Sequence, residues 1–137
     1  MNKKKLLIII SAAMTMSYAV AQTSASEECL RNISMFTESV KNKQFVDAVE
    51  PWEAAYAECP NAHLAIYQQG VKIFEWKLSQ TKDAKEIAQL RDRLMELYDN
   101  RIKYFGSNTK YPTSWILGEK AVDYIKYSPE DKLKENA

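Results

Sequence analysis

Few residues in this chain are of the types that carry out chemistry. His63 is the single histidine, and the two cysteines, Cys29 and Cys59, both lie in the first half of the chain. A serine or cysteine nucleophile activated by histidine would depend on His63 alone. No cluster of histidine, cysteine and carboxylate has the spacing of a metal site. We interpret His63 as a surface or helix-capping residue, and we expect no catalytic residue, no metal ligand and no cofactor.

Paired acidic residues are the other possible source of acid–base chemistry. Such pairs occur at predicted helix starts or on polar helix faces, as Glu27-Glu28, Asp47/Glu50, Glu53/Glu58 and Glu130-Asp131. Negative charge is favourable at a helix N-terminus, so a structural role accounts for these positions. The three glycines are too few for a glycine-rich phosphate loop. The sequence therefore predicts a protein that is not an enzyme.

The first 21 residues have the pattern of a signal peptide. A basic start, MNKKK, precedes the apolar run LLIIISAAM, and Ala19 and Ala21 supply small residues before a cut at Gln22. The run is too short to serve as a final membrane anchor, which is the alternative interpretation. Residues 22–27 follow as a linker. We expect export through the secretory pathway to the periplasm or envelope, with no stable membrane anchor after cleavage.

The charge of the exported part argues against two classes of partner. Removal of the three N-terminal lysines would leave 16 basic and 18 acidic residues, with both signs interspersed along the chain. A basic stripe is the usual footprint of binding to nucleic acid or anionic lipid, and none is present. Neither nucleic acid nor a membrane surface is expected as the partner.

Helices account for the pattern of the remaining chain. Three glycines and four prolines are few for an all-β domain, and no strand-like alternation occurs. The predicted fold class is all-α, with one helical domain over residues 28–127. Its helices are predicted at residues 28–42, 46–59, 61–79, 83–105 and 113–127. Residues 128–137 are predicted to be the start of a further helix or a frayed tail.

Apolar residues at helical spacing indicate which faces are buried. The first helix, capped by Ser26, and the fourth and fifth helices each have one predicted inward stripe. These stripes are Leu30, Ile33, Phe36 and Val40; Ile87, Leu90, Leu94, Leu97 and Tyr98; and Leu117, Ala121, Val122 and Ile125. The third helix has apolar residues on more than one face, so neighbours on two sides are expected. Pro51 predicts either a late start or a kink in the second helix, because proline in a helix interior costs about 3 kcal/mol.

The spacing of small and large residues in the second and third helices has a packing explanation. Small residues allow helices to cross closely, a large residue fills the gap between helix pairs, and a proline ends the helix. Ala48, Trp52, Ala55 and Pro60 supply these in order, and Gly70 follows where the next pair would cross. A helical glycine costs about 1 kcal/mol relative to alanine, so close packing is the expected compensation.

This spacing resembles the tetratricopeptide repeat, with the similarity running from Leu30 to about Ile73. Leu117-Gly118 with Ala121 resembles, more weakly, the first helix of a further repeat. The spacing departs from the family pattern, because Gly70 and Gly118 are 48 residues apart and the repeat is about 34 residues long. The mature chain is similar to the N-terminal region of exported tetratricopeptide-repeat proteins of the Bacteroidetes. The resemblance implies antiparallel hairpins stacked as a short solenoid, without known catalytic residues.

The two cysteines can be placed on such a hairpin. Cys29 and Cys59 each lie 15 residues from residue 44, in the predicted turn between the first two helices. An antiparallel hairpin brings residues equidistant from its turn to the same level, so a disulfide at the open end is expected. Two reduced cysteines, one exposed and one packed, are the alternative.

Four aromatic residues form a possible binding surface: Trp76, Tyr104, Tyr111 and Trp115. Their other possible place is the core between hairpins. The expected function is that of a non-catalytic exported scaffold for protein–protein interaction. The alternative is a periplasmic protein that binds a peptide or carbohydrate in an aromatic-lined groove.

Overall fold

The computed structural model describes residues 24–130, and this part of the chain contains helices and no strand. The five helices are α1 (Glu27–Lys41), α2 (Phe45–Glu58), α3 (Ala65–Ser79), α4 (Ala84–Phe105) and α5 (Thr113–Lys126). The predicted all-α class is confirmed. The predicted signal peptide at 1–21, and most of the predicted C-terminal segment 128–137, lie outside the described residues.

Helix α1 begins where its local signals place it. The Ser26 side chain accepts a hydrogen bond from the backbone N–H of Cys29 at 3.0 Å, and two glutamates occupy the first turn. One predicted position is wrong: Leu30 is exposed, and Cys29 is buried in its place beside Ile33, Phe36 and Val40. Residues 29, 33, 36 and 40 share one helix face, which therefore begins one residue earlier than predicted.

Helix α2 runs antiparallel to α1 and begins immediately after a tight connection. Lys43, in that connection, has φ of 59°, a left-handed conformation that reverses the chain within three residues. The helix starts at Phe45 and continues through Pro51, which excludes the late start, one of the two predicted alternatives. Pro51 is buried in α2 beside Trp52 and Ala55, and this burial offsets part of the helix cost of proline.

Helix α3 starts later than predicted. The segment after Pro60 does not continue as a helix but turns, and α3 begins at Ala65 instead of residue 61. The Tyr67 hydroxyl donates to the Pro60 carbonyl at 2.9 Å and secures this turn. Helix α3 then contacts α1, α2 and α4, which confirms that it has neighbours on more than one side.

The contact between α2 and α3 depends on Trp52 and Gly70. Trp52 is fully buried, and its Nε1–H donates to the Ile66 carbonyl at 2.7 Å. A Cβ atom at Gly70 would lie 2.9 Å from both Nε1 and Cζ2 of Trp52, and 3.0 Å from Cδ2 of Leu97. The indole therefore reaches the carbonyl of α3 because residue 70 has no side chain. Close packing at Gly70, expected from the sequence, is present.

Helices α4 and α5 complete the described fold. Asp83 caps α4, its side chain accepting from the Glu86 backbone N–H at 2.8 Å, and Gly106 is the C-cap that follows the last helical residue, Phe105. Helix α5 contacts α4, but its predicted inward stripe is wrong. The buried residues of α5 are Ile116 and Asp123, whereas Leu117, Gly118, Ala121, Val122 and Ile125 are exposed. The repeat-packing role predicted for Leu117, Gly118 and Ala121 fails for the same reason, since no described residue covers them.

Two glycine-to-alanine substitutions should act in opposite directions. Gly70→Ala should lower the free energy of unfolding by about 1–3 kcal/mol, because the added methyl displaces the indole of Trp52. Gly118→Ala is the matched control. No atom lies within 4 Å of a Cβ at Gly118, so alanine should stabilise α5 by about 0.5–1 kcal/mol. Urea unfolding followed by circular dichroism measures both, and equal effects would contradict the assigned packing.

Candidate functional site

The two cysteines are joined at the open end of the α1–α2 pair. Cys29 and Cys59 form a disulfide, with their Cα atoms 6.3 Å apart. This is the pairing predicted from their distance to the connection between the helices. Cys29 is fully buried and Cys59 nearly so. The bond is therefore part of the core, and its sulfur atoms are not available as an exposed redox centre.

His63 and two of the paired acidic residues, Glu53 and Glu58, have structural contacts. The exposed His63 ring accepts a hydrogen bond through Nδ1 from the Ala65 backbone N–H at 3.0 Å, at the start of α3. Glu58 accepts a hydrogen bond from Ser26, and Glu53 pairs with Lys77 at 3.4 Å. In residues 24–130, no three histidine, cysteine or acidic side chains are grouped as metal ligands.

The four aromatic residues predicted as a binding surface do not share one site. Tyr111 and Trp115 lie together, with ring centroids 4.9 Å apart, and Trp115 is 43% exposed. Trp76 lies on the other side of α3, stacked on Phe45 at 5.8 Å. Tyr104 packs against the core of the domain. Tyr111 and Trp115 are therefore the pair that can meet a ligand together.

A groove runs between α3 and α5, with α4 as its floor, and we call it the α3–α5 groove. Its first half has a volume of about 550 Å³ and is lined by Val71, Glu75, Tyr98, Ser114, Trp115, Gly118, Glu119, Val122 and Asp123. Its second half, of about 450 Å³, shares four lining residues with the first, Val71, Glu75, Trp115 and Glu119. It continues over Gln68, Gln69, Lys72, Arg101 and Tyr111. Lys72 and Glu75 also line a neighbouring groove beside α1 that contains Trp76.

The first half of the α3–α5 groove is acidic. Of the described side chains that line it, Glu75, Glu119 and Asp123 are carboxylates, and none is lysine or arginine. Asp123 is 7% exposed, and its Oδ2 accepts a hydrogen bond from the Tyr98 hydroxyl at 2.6 Å. Its Oδ1 accepts no hydrogen bond from any residue in 24–130. Burial, together with the hydrogen bond to Asp123 and the charge of that carboxylate, raises the pKa of Tyr98, so Tyr98 remains a neutral donor.

Arg101 is the one buried cation near this acidic half. Its Nη1 donates to Glu119 at 3.3 Å, and its guanidinium lies 5.4 Å from the Trp115 ring centroid. Burial raises the pKa of the Glu119 carboxyl; Arg101 opposes the rise, whereas Asp123 and Glu75 add to it. Glu75 forms no ion pair with any residue in 24–130. Arg101 thus pairs with Glu119, and the charge of Lys126 interacts with Glu75 and Asp123.

The charged residues of this groove were not identified from the sequence. Glu75 is one of many acidic residues on helix surfaces and carries no local signal. Asp123 had a weak one, because it stands seven residues after Ile116 and therefore on the same helix face. An acidic residue there requires a buried donor, and Tyr98 supplies one.

No helix within residues 24–130 is both long enough and apolar enough to cross a membrane. Comparison of the chain with protein-family models, with curated proteins and with solved structures finds no match in any of the three. The function therefore has to be inferred from the grooves and the contacts of the helices.

Proposed function

We propose that this chain is an exported, non-catalytic helical-repeat scaffold that binds another protein in the α3–α5 groove. The observation that carries the proposal is this open groove, in which the exposed ring of Trp115 joins an acidic half to a half lined by Gln68, Gln69 and Tyr111. Exposed aromatic side chains in a groove are frequent anchors for protein partners.

The helix contacts support a tetratricopeptide-like arrangement for the first three helices. Helix α1 pairs with α2 through the disulfide, and α3 packs on both. Trp52 fills the gap between the first pair and α3, in the place where Gly70 permits close approach. In stacked hairpins, alternate helices share one surface, and such extended surfaces serve recognition. Grooves border α3 on the sides of both α1 and α5, which supports this proposed arrangement.

The disulfide supports the proposed export. Structural disulfides persist in oxidising compartments and are rare in the cytosol. The bond between Cys29 and Cys59 is buried in the core, so its formation is coupled to folding. Periplasm and envelope are the locations that fit both this bond and the N-terminal sequence pattern.

A small ligand, either a peptide or a carbohydrate, is the second candidate. The observation that favours it is the pair formed by Tyr111 and Trp115, since small-ligand sites are lined mainly by apolar and aromatic side chains with a few polar groups. Saturable binding of a cell-wall sugar that is lost when Trp115 is replaced would favour this alternative over a protein partner.

Replacing Trp115 should remove the protein partner without unfolding the domain. In cross-linking from the native cell envelope, one captured protein should be retained by the wild type and lost in Trp115→Ala. Leu117→Ala is the matched control, because Leu117 is on the same helix, is 48% exposed and does not line the groove. Quantitative mass spectrometry compares the proteins captured by the wild type, by Trp115→Ala and by Leu117→Ala. If Trp115→Ala and Leu117→Ala retain the same proteins in equal amounts, the proposed function is wrong.

A further inference from the structure

The outward half of α5 contains no charged residue. Ile116 is the buried apolar residue of this helix, and an α-helix turns about 100° per residue, so the residues opposite Ile116 follow from their numbers. These residues are all exposed, and we call them the outer α5 face: Ser114, Leu117, Gly118, Ala121, Val122 and Ile125.

This face differs from the other solvent-facing helix surfaces. A helix face exposed to water normally carries charged residues, and the exposed residues of α4 include Asp92, Arg93 and Glu96. Seven large apolar side chains are exposed in residues 24–130, and four of them belong to α5: Trp115, Leu117, Val122 and Ile125. A concentrated apolar patch of this kind marks an interaction surface.

Two small residues at the centre of the face would let another helix approach closely. No atom lies within 4 Å of a Cβ at Gly118, whereas Trp52 and Leu97 fill the corresponding space at Gly70. Ala121 adjoins Gly118 on the same face. Larger apolar side chains surround the two small residues, and such a depression accommodates the side chains of a packed helix.

The charges beside the outer α5 face match a second copy of the same helix. Glu119 and Lys126 lie along one edge of the face, two turns apart. Two α5 helices that pack antiparallel, about a two-fold axis near residues 121 and 122, bring Glu119 of each copy opposite Lys126 of the other. A parallel pair would place like charges opposite each other. The face itself carries no charge that would repel its copy.

The same charges also have contacts within one copy. Arg101 pairs with Glu119 at 3.3 Å, and the charge of Lys126 interacts with Glu75 and Asp123. The contact across the axis therefore selects the orientation of the two helices and adds little affinity. Affinity comes from the apolar residues of the face.

The size of the face sets the expected strength of the contact. A helix of 14 residues is about 21 Å long and about 10 Å wide. Contact over this face alone buries less than the roughly 1,600 Å² of a standard stable interface. A transient dimer with a dissociation constant of about 10–100 μM is therefore expected.

We propose that the outer α5 face binds the same face of a second copy of this chain, with the two α5 helices antiparallel. The inference goes beyond the proposed function, because Leu117, Ala121 and Ile125 line neither half of the α3–α5 groove. The pairing gives α5 the antiparallel neighbour that α1 has in α2.

Sedimentation of the disulfide-bonded chain measures self-association. Between about 1 and about 500 μM, a range that brackets the expected dissociation constant, the mass should rise from that of a monomer towards that of a dimer. Ala121→Lys places a lysine beside its own copy at the axis and should weaken the dimer at least about tenfold. Both residues are good helix formers, so helical content should be retained. Ala54→Lys, at an exposed position of α2, is the matched control.

Lys126→Glu tests the orientation of the pair. The new carboxylate would face Glu119 of the other copy, and the dimer should weaken about threefold. Lys41→Glu is its control, because Lys41 lies in the last turn of α1 as Lys126 lies in the last turn of α5. The two reversals therefore have the same effect on the helix dipole. Equal affinities of Lys126→Glu and the wild type overturn the antiparallel arrangement.

Each outcome of the sedimentation series decides the proposal. Weakening by Ala121→Lys but not by Ala54→Lys supports it. A wild type that remains monomeric over the whole range overturns it, and so does equal weakening by the two lysine variants. If the wild type is monomeric and Ala121→Lys lowers the free energy of unfolding, another segment of the same chain covers the face. If it is monomeric and Ala121→Lys instead loses a captured envelope protein, a different protein covers the face.

Discussion

Replacing Trp52 by alanine should lower the free energy of unfolding by about 3–5 kcal/mol, the usual cost of emptying a buried aromatic site. The side chain is fully buried, meets Phe74 edge-to-face at 5.6 Å and stacks on Tyr56 at 5.2 Å. It also donates to the Ile66 carbonyl, so its loss removes a hydrogen bond between α2 and α3. Denaturant unfolding followed by circular dichroism measures the effect.

The chain contains a matched control for this change. Trp115→Ala removes the same atoms from a position that is 43% exposed, so it should cost less than half as much. Trp52→Phe keeps an aromatic ring and loses the N–H donor, and a loss of about 1–2 kcal/mol is expected. A similar cost for alanine at positions 52 and 115 would show that Trp52 is not the central packing residue.

Removal of the disulfide should have the second-largest effect. The bond closes a segment with a sequence separation of 30 residues, and chain-entropy arguments give about 3.6 kcal/mol for a loop of that length. The Cys29→Ala/Cys59→Ala double variant should unfold at correspondingly lower denaturant concentration. The helical content of the folded variant should be retained, because Ile33, Phe36 and Trp52 still form the core.

Reduction provides an independent comparison for the disulfide. A thiol reductant should destabilise the wild type by an amount similar to the double substitution and should leave the double variant unchanged. Mass spectrometry with and without reductant and alkylation verifies the oxidation state. If the reductant leaves the stability of the fully reduced wild type unaltered, the bond does not contribute to folding.

The first helix pair shows how far local signals reach. The first helix was predicted at 28–42 and is observed at Glu27–Lys41. Its cap at Ser26 and its acidic first turn involve residues that are close in sequence, so both can be predicted from the sequence alone. The pairing of Cys29 with Cys59 was also predictable, because it follows from the short connection between two helices of similar length.

Helix α5 shows where local signals fail. Its periodicity predicted an inward stripe of Leu117, Ala121, Val122 and Ile125, but Ile116 lies on another apolar face, and that is the face that is buried. Packing against α4 selects the face of Ile116 and Asp123, and the hydroxyl of Tyr98 makes the burial of Asp123 possible. The carboxylates of the groove come from both α3 and α5, and their proximity depends on that same packing.

The amino-acid sequence by itself determined the helical class of this protein, most of its helix boundaries, the disulfide pairing and the close approach at Gly70. Each of these depends on hydrogen bonds, caps and side-chain sizes that act over one turn or across one short connection. Only the tertiary structure decided which face of α5 is buried and which carboxylates line the groove with Trp115. Apolar burial has no preferred direction, so the choice among several apolar faces is made by the neighbouring helices.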